Sequence, residues 1–306
     1  MTTSYQPLSR PDLIDTLLHG AVDLHCHSGP SVMHRKLDHL EEIAEADAAG
    51  MRAILFKDHF YPAGPVLDLI RRRRDPASDL LLLSGIPLNN TLGGLNVHAV
   101  AHGLKLGARL VWMPTLCASN HLRTAFRYDV SGKIGMRQPT GIDILTDAGK
   151  VKDEVKQILD LIAEHDAALS GGHLHISEMY PLFTEARTRG VTRMMVAHPT
   201  FWIEADLGDL RELGRMGVYM EHCACMLVDC PTRKFTCEDL TAYVEAGGLE
   251  QTILGSDLGQ PINPKPVEGF RAVIALCLEA GFSPEETRRL TSTNACRLMG
   301  IPERLH

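Results

Sequence analysis

Residues 21–59, "AVDLHCHSGPSVMHRKLDHLEEIAEADAAGMRAILFKDH", read as a strand, a helix and a second strand. The first seven residues are an apolar run interrupted by Asp23 and closed by His25 and His27 before a break at Gly29 and Pro30. From Leu37 onward, Leu, Ile and Ala recur at helical spacing and stop at Gly50, a residue that commonly ends helices. Residues 51–59 return to strand character and end in Lys57, Asp58 and His59. A strand that hands over to a helix and then to another strand is the unit from which parallel sheets are built.

The same rhythm continues outward. Further strands are expected at 80–88 ("LLLLSGIPL"), 108–115 ("ARLVWMPT"), 167–173 ("AALSGGH"), 191–198 ("VTRMMVAH"), 218–222 ("VYMEH") and 251–257 ("QTILGSD"), with amphipathic stretches between them. Eight strands, each followed by a helix, predict one closed (β/α)8 TIM barrel of class α/β over residues 1–306. The longest departure from the rhythm is 116–150, where turn signals at Gly132, Gly135, Pro139 and Gly149 predict a lid or hairpin insertion after strand four. A doubly wound open sheet would want a glycine-rich phosphate loop after the first strand, and "HCHSGPSVMH" does not supply one.

Composition narrows the function. With 44% hydrophobic residues in 306, the chain can bury a large core. The net charge of −7 offers no basic surface for nucleic acid, and "RRRR" at 71–74 reads as the solvated end of a helix. No apolar run reaches the ~18 residues of a membrane span and the first residues have no signal-peptide pattern, so a cytoplasmic protein is expected. The eight cysteines fit reduced thiols. The cluster Cys223, Cys225, Cys230 and Cys237 lacks the C-x-x-C pair common in zinc sites and reads as free thiols.

An H-x-H pair arises by chance roughly once in a chain this rich in histidine, so spacing alone does not make His25 and His27 a chelate. Placement does. Barrel active sites are built where strands end. The expected strand ends carry His25 and His27, then Lys57 with His59, His173 followed by His175, then His198, Glu221 with His222, and Asp257; His19, His39, His102, His165 and His306 fall in helices, loops or termini. Alternate residues of a strand share a face, so His25 and His27 can meet one cation. Imidazoles with one carboxylate suit Zn2+ or a similar ion with an open position for water.

Through "DLHCH", "GGH", "VAHP" and "LGSD", taken in that order, the chain resembles the amidohydrolase superfamily of metal-dependent hydrolases, over nearly its whole length. In that superfamily an H-x-H on strand one, a His on each of strands five and six, and an Asp on strand eight form the site. The resemblance implies His25, His27, His173, His198 and Asp257 as ligands of one or two divalent ions, Zn2+ in the first place, with Mn2+ and Fe2+ as alternatives. Binuclear members carry a bridging carboxylated Lys or a Glu on strand four, whereas strand four here ends "WMPT" and Lys57 ends strand two. Lys57 is therefore either a bridging ligand from an unusual position or a cation that anchors a substrate carboxylate.

The reading is a hydrolase of small molecules, in which metal-activated water attacks an amide, imide or lactone carbonyl. Asp257 is the general acid/base, Lys57 a second catalytic group, and His59, His175, Glu221 and His121 are assigned to substrate binding. Asp23 is expected to point into the barrel wall or to orient a ligand rather than to bind metal itself. The alternatives are a metal-dependent decarboxylase of the same superfamily, a phosphoesterase using Lys57 with Arg127 or Arg137, and a non-enzymatic sensor barrel. Partners are confined to a small-molecule substrate, with no nucleic acid and no membrane; a homo-oligomer is left open.

Overall fold

A computed structural model of the chain describes residues 9–125 and 136–303. Eight strands run parallel in chain order: β1 Val22–Cys26, β2 Ala53–Phe56, β3 Leu81–Pro87, β4 Leu110–Trp112, β5 Ala168–Ser170, β6 Met194–Ala197, β7 Tyr219–Cys223 and β8 Thr252–Gly255. The ring closes beyond the ends of β8 and β1. There Cys26 bridges Leu258, the His27 N–H donates to the Leu258 carbonyl at 2.8 Å, and the Asp257 N–H donates to the His25 carbonyl at 2.6 Å. The result is the expected (β/α)8 barrel.

One packed group is contributed by strands around the ring, including Leu24, Leu55, Leu110, Trp112, Met195 and Ile253. The closing helix Asn294–Met299 adds Ala295, Leu298 and Met299 to it. Other residues of the same strands, such as Ile54, Phe56 and Leu82, pack with the helical layer instead. This division is what strand alternation provides. Helix starts are locally encoded: the helix His39–Ala48 opens on a capping box in which Asp38 and Glu41 satisfy each other's backbone N–H groups.

β1 is irregular. Its register with β2 shifts between Asp23 and Cys26, a bulge that re-aims side chains at the strand end where the two histidines sit. Asp23 holds this end: its Oδ1 accepts the N–H of His25 at 3.0 Å and of Ser256 at 2.9 Å, tying β1 to the exit of β8. It is fully buried, and the cost of burying charge lifts its pKa to about 6 against the hydrogen bonds that oppose the rise.

Of the insertion expected at 116–150, residues 126–135 lie outside the described residues, Arg127 among them. Both flanks are anchored. Ser119–Ala125 is a helix, Ala118 bridges Ile142, and Leu145 pairs antiparallel with Val151. Ile144 is completely buried in the same core as Ile158 and Phe183. The arginine run behaves as expected of a helix end: the helix stops at Arg71, Arg72 pairs with Asp68, and Arg74 with Asp47 at 2.8 Å. All eight cysteines are free thiols. Among the described residues no helix is long and apolar enough to cross a membrane.

Candidate active site

The carboxyl ends of the strands converge on a cavity of about 320 Å3. His27, Lys57, His59, His121, His173, His198 and Asp257 line it on one side, and Leu116, Phe201, Trp202, Met226 and Pro231 give it an apolar wall. Seven groups assigned from sequence thus meet in one place.

Hydrogen bonding fixes which nitrogen of each ring faces inward. His25 Nδ1 lies 2.8 Å from Glu221 Oε2; a carboxylate only accepts, so Nδ1 carries the proton and Nε2 presents a lone pair. His27 Nδ1 lies 2.8 Å from the Lys57 carbonyl, which by the same logic leaves its Nε2 bare. Both bare nitrogens point at one atom, Asp257 Oδ1, at 3.2 and 3.1 Å. Three electron pairs therefore converge with no proton of their own to share. Beside them lies Lys57 Nζ, 2.9 Å from His25 Nε2 and over the Trp112 ring at 5.6 Å.

Two further imidazoles border this point. His198 lies 5.8 Å ring to ring from His25 and 4.9 Å from His173. His173 Nε2 and His198 Nδ1 are buried with no hydrogen-bond partner among the described residues. Buried polar atoms without partners are uncommon and point to a missing ion or water. A convergent set of neutral nitrogens and one carboxylate is the donor chemistry of a divalent transition-metal site. The residues present fit such an ion.

Electrostatics agrees with neutral rings. Burial pushes His27 down to about 3, and burial likewise drives His59, His173 and His198 well below the usual imidazole range. Burial works against charge on Asp257, and what holds its carboxyl well below the ordinary value is positive charge at the facing imidazoles, His25 first and then His27; with those rings neutral, a cation at this point has to supply that charge. Burial also lowers Lys57, partly offset by Asp257 and Glu221.

The backbone is bent to make this geometry. His198 and Asp257, at the exits of β6 and β8, adopt left-handed φ values of 38° and 47°, which non-glycine residues seldom take. Strain of that kind, about 1–3 kcal/mol per residue, persists where surrounding structure holds it. Here each strained N–H is held by a short bond, His198 to the Glu221 carbonyl at 2.7 Å and Asp257 to His25.

Several residues act from outside the convergence point. Glu221 does not line the cavity; its carboxylate lies behind His25 and orients that ring. His121 meets His173 Nδ1 to Nδ1 at 2.9 Å and lies 4.5 Å from the Trp202 ring, so it steers His173. His59 is held at 2.9 Å by the Thr115 hydroxyl, itself fixed by Asn89. His175 is not brought to the cavity: it caps the helix Ile176–Thr188 by accepting the Ser177 N–H and faces Glu204 at 3.5 Å. His222 is also turned away, stacked on Tyr243 at 5.0 Å.

Sequence reading passed over Arg35, Asn89 and Trp202, and read Cys225 as one free thiol of a cluster. Arg35 and Cys225 follow closely after β1 and β7, on the loops where barrels keep their chemistry, and that position is the signal available. Cys225 Sγ lies 3.6 Å from Asp257 Oδ2. Trp202 leaves no such mark, because its approach depends on the fold of the whole loop after β6.

Fold and site together define a (β/α)8 barrel with a histidine-rich, carboxylate-bearing centre at its carboxyl mouth. The chain belongs to a family of unknown function, DUF6282, whose model matches residues 20–221. No curated protein matches the sequence. Among solved structures, an amidohydrolase from Pseudomonas aeruginosa has a TM-score of 0.63 at 12% identity, covering 93% of this chain and 98% of its own. The probable dipeptidase PvdM from the same organism has a TM-score of 0.65 at 9% identity, covering 95% and 98%. A 2,6-dihydroxybenzoate decarboxylase from Rhizobium has 0.53 at 12% identity, covering 92% and 98%. At such identities the likeness is one of fold alone, the (β/α)8 barrel.

Proposed function

We propose that the protein is a metal-dependent hydrolase of small molecules, acting on an amide, imide or lactone carbonyl. The observation that carries this reading is the convergence of His25 Nε2 and His27 Nε2 on Asp257 Oδ1 at 3.2 and 3.1 Å, at the edge of a cavity with an apolar wall. The residues to hold a divalent ion are His25, His27, Asp257 and one or both of His173 and His198. The chemistry such an ion supplies is Lewis-acid polarisation of a carbonyl and a lowered pKa for water.

The chain's own groups do the rest. Asp257 turns Oδ1 to the imidazoles, and among the described residues its Oδ2 has the weak donor Cys225 as its hydrogen-bond contact, so Oδ2 is the atom to take a proton from the attacking water and pass it to the leaving group. Lys57, beside His25, as an ammonium supplies positive charge where a carbonyl oxygen gains negative charge. Trp202, Phe201 and Leu116 cover one side of the substrate and limit bulk water. His59, neutral and fixed through Thr115 and Asn89, is placed to hydrogen-bond substrate.

The amidohydrolase and dipeptidase among the structural neighbours support hydrolysis, and the decarboxylase among them supplies the rival. A substrate found on a panel of small amides, imides and lactones, turned over in 18O-labelled water, tests the choice. Hydrolysis places the label in the product. Carbon dioxide release with unlabelled product overturns the reading in favour of decarboxylation. Asp257→Asn, which keeps shape but cannot take the proton, is expected to lose about 10²-fold or more in turnover.

A further inference from the structure

Arg35 lies on the loop between β1 and the helix His39–Ala48, and its side chain lines the cavity. Its guanidinium forms no ion pair within 4 Å among the described residues. Its nearest polar neighbour is His27 Nδ1, 3.4 Å from Nη2, but that nitrogen spends its proton on the Lys57 carbonyl and has no lone pair to offer. The remaining contact is Met33 Sδ at 3.7 Å, a weak acceptor, and Nε is buried with no partner. A guanidinium has five donors in a planar fork, and one that is half-buried without an acceptor is costly unless an anion completes it.

We infer that Arg35 is the specificity-determining residue of the cavity and binds a carboxylate carried by the substrate, a small carboxylic acid whose apolar body lies against Trp202 and Leu116. Charge selects carboxylate over phosphate. Asp58 and Asp257 both act on Arg35 electrostatically, which disfavours a dianion, whereas one planar monoanion matches one planar fork. Position sets the distance between the two ends of the substrate. Arg35 Nη2 lies 3.4 Å from Nδ1 of the imidazole whose other nitrogen meets Asp257, so the carboxylate lies about one ring's width from the reacting carbonyl. The cavity's 320 Å3 confines the substrate to a compact molecule.

The inference deepens the proposed hydrolase, but its test does not need turnover. Benzoate and its neutral isostere benzamide are titrated calorimetrically into the purified protein, alongside inorganic phosphate, for wild type, Arg35→Met and Arg35→Lys. Wild type is expected to bind benzoate at least about tenfold more tightly than benzamide, the scale of a charged hydrogen-bonded pair. Arg35→Met should lose that preference, and Arg35→Lys should keep part of it. Circular dichroism checks that each variant is folded. Equal binding of acid and amide by wild type, no binding of benzoate, phosphate bound more tightly than benzoate, or a preference that survives in folded Arg35→Met would each overturn the assignment. Survival in Arg35→Met would mean that the acid sits on an ion or on Lys57 instead. Carboxylate preference that depends on Arg35, in a protein that hydrolyses nothing, would leave the subsite standing and remove the hydrolase.

Discussion

The sharpest consequence of the site concerns Glu221, which touches no substrate. Its Oε2 accepts from His25 Nδ1 at 2.8 Å, with both side chains almost fully buried. A carboxylate in that position fixes the ring's tautomer and makes the opposite nitrogen a better donor, and loss of such partners typically weakens metal binding about 10- to 100-fold. At 1.36 kcal/mol per tenfold step, this corresponds to roughly 1.4–2.7 kcal/mol. Glu221→Gln keeps an accepting oxygen but removes the charge, so the lower end of that range applies. The same change removes a buried charge, so the metal-free fold should be no less stable and may be compared directly by thermal melting. The two readouts therefore move differently: zinc affinity, measured by competition with a chromophoric chelator, falls about tenfold, while the melting temperature without metal holds or rises. A second route reaches the same bond from the other side. A Cβ at Gly255 would run into Glu221 Oε1, so Gly255→Ala should displace the carboxylate and also weaken zinc. Zinc affinity within twofold of wild type in folded Glu221→Gln would refute the reasoning, as would parallel losses in affinity and in metal-free stability.

Two other outcomes follow from the packing around the site. Glu42 is buried, and burial lifts its pKa from 4.5 to about 7. Its folded-state value lies above the unfolded one, so its contribution is fully present below pH 4.5 and is lost as pH rises through 7, a change of about 3 kcal/mol at most. Glu42→Gln should flatten the fall in melting temperature between pH 5 and 8, and an unchanged slope would contradict this assignment. Gly259 has φ +119°, and a Cβ there would collide with the His27 carbonyl, whereas Gly281 at φ +89° has open space around it. Gly259→Ala should therefore cost more stability than the ~1–3 kcal/mol of backbone strain that both share, and equal melting temperatures for the two variants would count against the crowding.

The barrel was readable because its signal repeats. Each strand is a short apolar run and each helix an amphipathic one, so an ambiguous element is supported by its neighbours, and ligand-capable residues then stand out by falling at strand ends. His25, His27, His173, His198 and Asp257 could be placed at one mouth by topology alone. What topology leaves open is direction. His175, two residues beyond His173, has the same spacing as the pair on β1, but a helix begins immediately after it and its ring is used as a cap. Sequence reading assigns Glu221 and His121 to substrate binding, yet Glu221 reaches the site only through the far nitrogen of His25, and His121, although it lines the cavity, is engaged with His173 Nδ1, relations set by side-chain packing. The same limit hid Arg35, whose significance lies in the acceptor it lacks.

Metal content tests the central claim most directly. The wild-type protein, purified without chelators and analysed for elements, is predicted to carry at least one divalent transition-metal ion per chain, and folded His25→Ala/His27→Ala very little. A wild-type chain that neither contains nor takes up such an ion, or a double variant that retains the full complement, would contradict the account.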